Sequence, residues 1–114
     1  MKIAIIGSRT VNIDDLGAHL SNECTEIVSG GARGVDNCAE RYANENGIKL
    51  VEILPEYDKY GKAAPIVRNK QIVDYSDKVI AFWDGKSRGT LSVINYCKKI
   101  KKECCVVLIQ SNQN

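Results

Sequence analysis

Three short segments concentrate the residues able to do chemistry. Gly7-Ser8-Arg9-Thr10, Ser29-Gly30-Gly31-Ala32-Arg33-Gly34-Val35-Asp36 and Trp83-Asp84-Gly85-Lys86-Ser87-Arg88-Gly89-Thr90 hold six of the 9 glycines and three of the 5 arginines. Glycine lets backbone amides come close to a ligand, and amides at the start of a helix favour an anion. Arginine adds a planar fork of donors suited to phosphate. Lysine is distributed differently, as at Lys98, Lys99, Lys101 and Lys102, where it belongs to a solvated face. This segregation points to a phosphorylated ligand held by loop amides, Ser87, Thr90 and the arginines. The plainer alternative is a set of surface arginines in loop salt bridges. Arg68 stands apart, near the start of a helical stretch and beside Asn69, and Arg41 sits mid-helix.

Several polar residues have more than one role open to them. Asp84, the candidate catalytic residue, can accept from a ribose hydroxyl, orient an arginine, or act as general acid or base. Asp36 opens a helix and serves most simply as a cap or first-turn charge. Trp83 either stacks on a base or packs in the core. Asn69 shares a helical stripe with Ile66, Ile72 and Val73, so it is expected to face inward, either tying down backbone groups or reaching a ligand.

Some chemistries are excluded. Gly85-Lys86-Ser87 ends like a phosphate-binding P-loop, but Ile80 stands where the first glycine belongs, within a strand-like run. Gly30-Gly31-Ala32-Arg33-Gly34 is not G-x-G-x-x-G and follows the second strand, which disfavours a nicotinamide-dinucleotide dehydrogenase. Cys24, Cys38, Cys97, Cys104 and Cys105 lack metal-ligand spacing, and His19 is the single histidine. No metal site and no cofactor are expected. Five cysteines, an odd number, fit a reducing compartment and read as buried thiols.

The elements that position these loops alternate regularly. Apolar runs Lys2–Ile6, Glu26–Ser29, Lys49–Leu54, Lys78–Phe82 and Glu103–Ile109 read as buried parallel strands. Between them, helical stripes run through Ile13, Leu16, Gly17 and Leu20; through Val35, Cys38, Ala39, Tyr42 and Ala43; and through Thr90, Val93, Ile94 and Cys97. A further helix is expected from near Pro65 to about Tyr75, and Gly47 reads as a helix stop. Five strands alternating with four helices predict an α/β fold with a parallel sheet between two helix layers, in order 3-2-1-4-5 with the third strand at an edge. Ligands of such sheets bind outside the carboxyl ends of the strands where strand order reverses. Here that point lies between strands 1 and 4, next to the glycine- and arginine-bearing loops.

The chain has 114 residues, 44% hydrophobic and 26% charged, which suits one domain over 1–110 with a polar tail at 111–114. Sixteen basic and 14 acidic residues give a net charge of +2, a weak field for a polyanion. A small nucleotide-derived molecule is therefore the expected partner rather than nucleic acid, and self-association is left open. No stretch approaches a membrane span, and the start of the chain does not read as a signal peptide, so a cytoplasmic protein is expected.

Taken together, GSR at 7–9, SGGARGVD at 29–36, RN at 68–69 and FWDGKSRGT at 82–90 resemble the SLOG superfamily, and most of all its small YspA-type, YpsA-related branch. The resemblance covers Met1 to about Ile109. It implies a Rossmann-like fold and a nucleotide-type site formed by Gly7, Ser8, Arg9, Gly30, Gly31, Arg33, Gly34, Asp36, Arg68, Asn69, Asp84, Ser87, Gly89 and Thr90. The branch is regarded as sensing or processing its ligand. LOG phosphoribohydrolases of the same superfamily follow their Gly-Thr loop with a catalytic glutamate, whereas here Gly89-Thr90 leads into Leu91, Ser92 and Val93. That departure weighs against N-glycosidic hydrolysis, the alternative function. DNA-processing protein A carries a loop similar to Gly30–Asp36, which makes single-strand binding the third reading.

Overall fold

The structure is a computed structural model that describes residues 1–8, 13, 16–20, 22–31 and 35–109, with only the backbone described at Val35 and Asp36. Its strands are β1 (Lys2–Gly7), β2 (Glu26–Ser29), β3 (Lys49–Glu52), β4 (Lys78–Trp83) and β5 (Cys104–Leu108). Its α-helices are α1 (Val35–Asn46), α2 (Tyr57–Tyr60), α3 (Ala64–Tyr75) and α4 (Arg88–Ile100). The strands form one parallel sheet in the order β3-β2-β1-β4-β5. Strand order reverses between β1 and β4, where Ile6 pairs with Ala81 and Gly7 with Phe82.

Alternation along the strands divides two cores. On one face Ile3, Ile5, Ile27, Ile80 and Phe82 pack with Leu16 and with Cys38, Ala39 and Ala43 of α1. On the other, Ala4, Ile6, Val28 and Val79 pack with Ile72 and Val73 of α3 and Val93 and Cys97 of α4. The central strands β1 and β4 are buried on both faces, and their apolar runs follow from that. The result is the α/β/α Rossmann-like architecture expected from the sequence, with β3 at one edge and β5 at the other.

The helix stripes hold where they cross a core. Thr90, Val93, Ile94 and Cys97 are all buried along α4, and Gly47 ends α1 at φ +64° while Ile48 N–H donates to the Ala43 carbonyl. Other expectations need correction. Of the stripe through Ile13 and Leu20, the described residues form a 3₁₀ turn at Leu16–His19, with Gly17 inside it, and residues 14 and 15 lie outside the described residues. Helix α2 and a 3₁₀ turn at Gly61–Ala63 precede α3. Ile66 is exposed, so it does not share a buried face with Ile72 and Val73. Nor are all thiols buried. Cys38 and Cys97 are, Cys24 and Cys104 are half-buried, and Cys105 is exposed because it lies on an edge strand. No helix among the described residues is long and apolar enough to cross a membrane. The tail at 111–114 lies outside the described residues.

Candidate functional site

Two clusters form at the carboxyl edge of the sheet. The first joins the ends of β1 and β4. Ser8 continues β1 by donating its N–H to the Phe82 carbonyl at 3.2 Å, which fixes its backbone beside the end of β4. That side chain is buried, and its Oγ has no hydrogen-bond partner. A buried hydroxyl left unpaired costs folding free energy on the order of 1–3 kcal/mol, so a native structure retains one only for a reason.

Asp84 follows β4 and organises the next loop. Its Oδ1 accepts from the Lys86 and Ser87 N–H groups, both at 2.8 Å. The Ser87 amide, then the Lys86 amide, hold the carboxyl below the usual carboxylate range, against a smaller opposing effect of burial. The Ser8 hydroxyl lowers it further although it falls outside hydrogen-bond geometry with Asp84. At neutral pH Asp84 is therefore an anion, with Oδ1 holding the Lys86 and Ser87 amides.

Helix α4 begins at this point. Ser87 is its N-cap in extended conformation, accepting from Thr90 N–H at 3.4 Å and donating to Thr90 Oγ1 at 3.3 Å. Thr90 is buried, whereas Arg88 and Gly89 are exposed in the first turn. Trp83 is half-buried, and its indole N–H donates to the Ser87 carbonyl at 3.0 Å, tying β4 to the start of α4. Asp84 and Ser87 thus occupy amides that the sequence assigns to an anion cradle.

The second cluster joins β2 to α3. Arg68 donates from Nη1 to the Gly30 carbonyl at 2.9 Å and from Nε to Asn69 Oδ1 at 2.9 Å. Gly31 stands at φ +72°, in the left-handed region, and donates its N–H to Ser29 Oγ at 3.3 Å. The Gly30–Gly31 peptide is therefore clamped on both sides. A Cβ on Gly31 would come within 2.8 Å of both Glu52 Oε2 and Leu54 Cδ2.

Of the residues singled out in the sequence, Gly7, Ser8, Trp83, Asp84, Ser87, Gly89 and Thr90 meet at the first cluster, with Arg88 exposed at its rim. Gly30, Gly31, Arg68 and Asn69 meet at the second. Arg9, Arg33, Gly34 and the Asp36 side chain lie outside the described residues. Sequence reasoning passed over Ser29 as a hydrogen-bonding group and gave Glu52 no role. The Ser29–Gly31 bond is local, two residues apart, and Ser29 next to two glycines was its signal; Glu52 is brought beside Gly31 by the pairing of β2 with β3, which one strand alone does not reveal. Among the described residues no group of three or more His, Cys, Asp or Glu side chains could hold a metal ion.

An α/β/α domain with a parallel sheet in strand order 3-2-1-4-5 defines a protein of the Rossmann-like class. The chain belongs to the YspA, cpYpsA-related SLOG family, whose model matches residues 1–60. It is similar in fold to DNA processing protein A (DprA) from Streptococcus pneumoniae, with a TM-score of 0.72 at 24% sequence identity. That match covers 92% of this chain and 49% of the other, so the chain spans about half the length of that protein. No curated protein matches the chain.

Proposed function

We propose that the chain binds a nucleotide or nucleotide-derived phosphorylated small molecule at the carboxyl edge of its sheet. The observation that carries this reading is the Ser8 hydroxyl, buried and unpartnered at the point where strand order reverses. A ligand seated there supplies the missing partner. Membership of the SLOG family and the arginines that the sequence places in the neighbouring loops support a nucleotide-type ligand. Sensing and processing both begin with this binding step.

Two other readings have less support. An N-glycosidase needs a carboxyl group placed for proton transfer or attack, and no carboxylate follows Gly89-Thr90. Asp84 is held ionised by backbone amides, far from the pKa suited to a general acid at neutral pH. A role on DNA, suggested by the name of DNA processing protein A, meets a net charge of only +2.

The test is thermal unfolding with AMP, ADP, ADP-ribose and NAD at millimolar concentration. Saturating stabilisation by at least one is expected, and about 2.7 kcal/mol accompanies a hundredfold excess over Kd. If none of the four shifts the melting temperature, the proposal fails.

A further inference from the structure

We infer that the Asp84–Ser8 crevice is a sugar-hydroxyl subsite, and that a bound nucleotide turns its ribose, not its phosphate, toward the start of α4. This rests on the nucleotide reading above and deepens it.

The start of a 13-residue helix is ordinarily a place for an anion. Here the protein has already put an anion there. Asp84 Oδ1 takes the Lys86 and Ser87 amides, and Ser87 Oγ takes the Thr90 amide. A phosphate at that point meets a fixed like charge and a depleted set of donors. A hydroxyl meets the opposite situation. Asp84 Oδ2 is a charged acceptor for an O–H donor, and charge-assisted bonds of this kind are the strong ones. Ser8 Oγ, 97% buried on the residue's 3% exposure and without a partner, can donate to or accept from a second hydroxyl. A vicinal diol presents two such hydroxyls on adjacent carbons. It can satisfy the carboxylate and the orphaned hydroxyl at once.

The phosphate then belongs one strand over, at the end of β2, where α3 delivers Arg68 to the Gly30 carbonyl. Neighbouring strands lie about 4.8 Å apart, a spacing compatible with sugar hydroxyls at β1/β4 and the 5′-phosphate beside β2. Of the three roles the sequence leaves open to Asp84, this selects the acceptor of a ribose hydroxyl.

The experiment compares ADP with 2′,3′-dideoxy-ADP by titration calorimetry on the wild type, Asp84→Asn and Ser8→Ala. The wild type is expected to prefer ADP about tenfold or more, the scale of one charge-assisted hydrogen bond. Asp84→Asn keeps an Oδ1 acceptor for the Lys86 and Ser87 amides, so the loop retains its turn. It should lose most of the preference, with the ratio falling toward one. Ser8→Ala removes only an unpartnered hydroxyl. It should bind ADP several-fold more weakly while melting no lower than the wild type.

Equal affinity of the wild type for the two ligands overturns the subsite assignment and leaves the nucleotide reading standing. So does an Asp84→Asn protein that binds both ligands more tightly with the ratio unchanged, because the carboxylate is then repelling phosphate. Absence of binding by every nucleotide in the thermal series overturns the nucleotide reading itself.

Discussion

Arg68 on α3 donates to the carbonyl of Gly30 at the end of β2, at 2.9 Å and across 38 residues of chain. The same guanidinium donates to its neighbour Asn69, whose side-chain oxygen thereby fixes the fork in place. The peptide that follows Gly30 is held from its other side by the Ser29 hydroxyl. A helix on one face of the sheet thus sets the orientation of a loop 38 residues earlier in the chain.

Removing that fork should loosen the loop. Arg68→Ala is expected to lower stability by roughly 1–3 kcal/mol, since hydrogen bonds to charged groups carry about that much. Arg68→Lys keeps the charge but cannot span both acceptors, and should fall in between. Denaturant melts of the three proteins measure the order. Equal stability of Arg68→Ala and the wild type would contradict the clamp.

Gly31 and Gly47 form a matched pair for testing the loop's packing. Both have left-handed φ, +72° and +64°, but a Cβ on Gly47 meets nothing within 4 Å. Gly47→Ala should cost only the backbone strain, about 1–2 kcal/mol. Gly31→Ala should cost more, because Glu52 and Leu54 must move aside. Urea unfolding of both variants gives the difference, and equal losses would mean those side chains yield freely.

Stability should fall in acid through carboxylates tied down in the fold. Asp77 accepts the Lys2 N–H at 2.8 Å and is lowered chiefly by it, and Asp84 is lowered by the Ser87 and Lys86 amides. A depressed folded-state pKa contributes stability above the ordinary carboxylate range. That contribution is lost as pH falls through the depressed value. Asp84→Asn should therefore melt a few degrees below the wild type at pH 7, with the gap closing as pH drops below about 4. Melting temperatures from pH 2 to pH 8 check it, and a gap that does not change with pH would contradict it.

The thiols should react in the order of their exposure. Cys105 is exposed, and burial pushes the Cys97 thiol up to about 12. Burial also raises Cys24 and Cys104. An aromatic disulfide reagent at pH 8 should show one fast thiol in the native protein and all five after denaturation. Cys105→Ser should abolish the fast phase. A second fast thiol in the native protein would mean that Cys24 or Cys104 is more accessible than its burial indicates.

Much of the architecture was legible before any coordinates. Apolar runs in β1, β2 and β4 declare strands buried on both faces, and the reversal of strand order predicts where a ligand can sit. Gly47 and the stripe Thr90, Val93, Ile94, Cys97 specify their own roles through local geometry and periodicity. The stripe in α3 was weaker evidence. It placed Ile66 beside Ile72 and Val73, yet Ile66 is exposed while Ala64, in the same turn, is buried.

What the sequence by itself determined was the type of donor and acceptor available at the sheet edge: glycines, arginines, Asp84, Ser8 and Ser87. Residue identity fixes chemical capacity, and short-range spacing fixes which loop carries it. Only the tertiary structure decided how that capacity is used. Asp84 takes the amides that the sequence assigns to an anion, Arg68 takes the Gly30 carbonyl, and among the described residues the Ser8 hydroxyl is left buried without a hydrogen-bond partner. Hydrogen bonds are shared out among groups brought together from distant parts of the chain, and that sharing depends on register and packing that no single segment encodes.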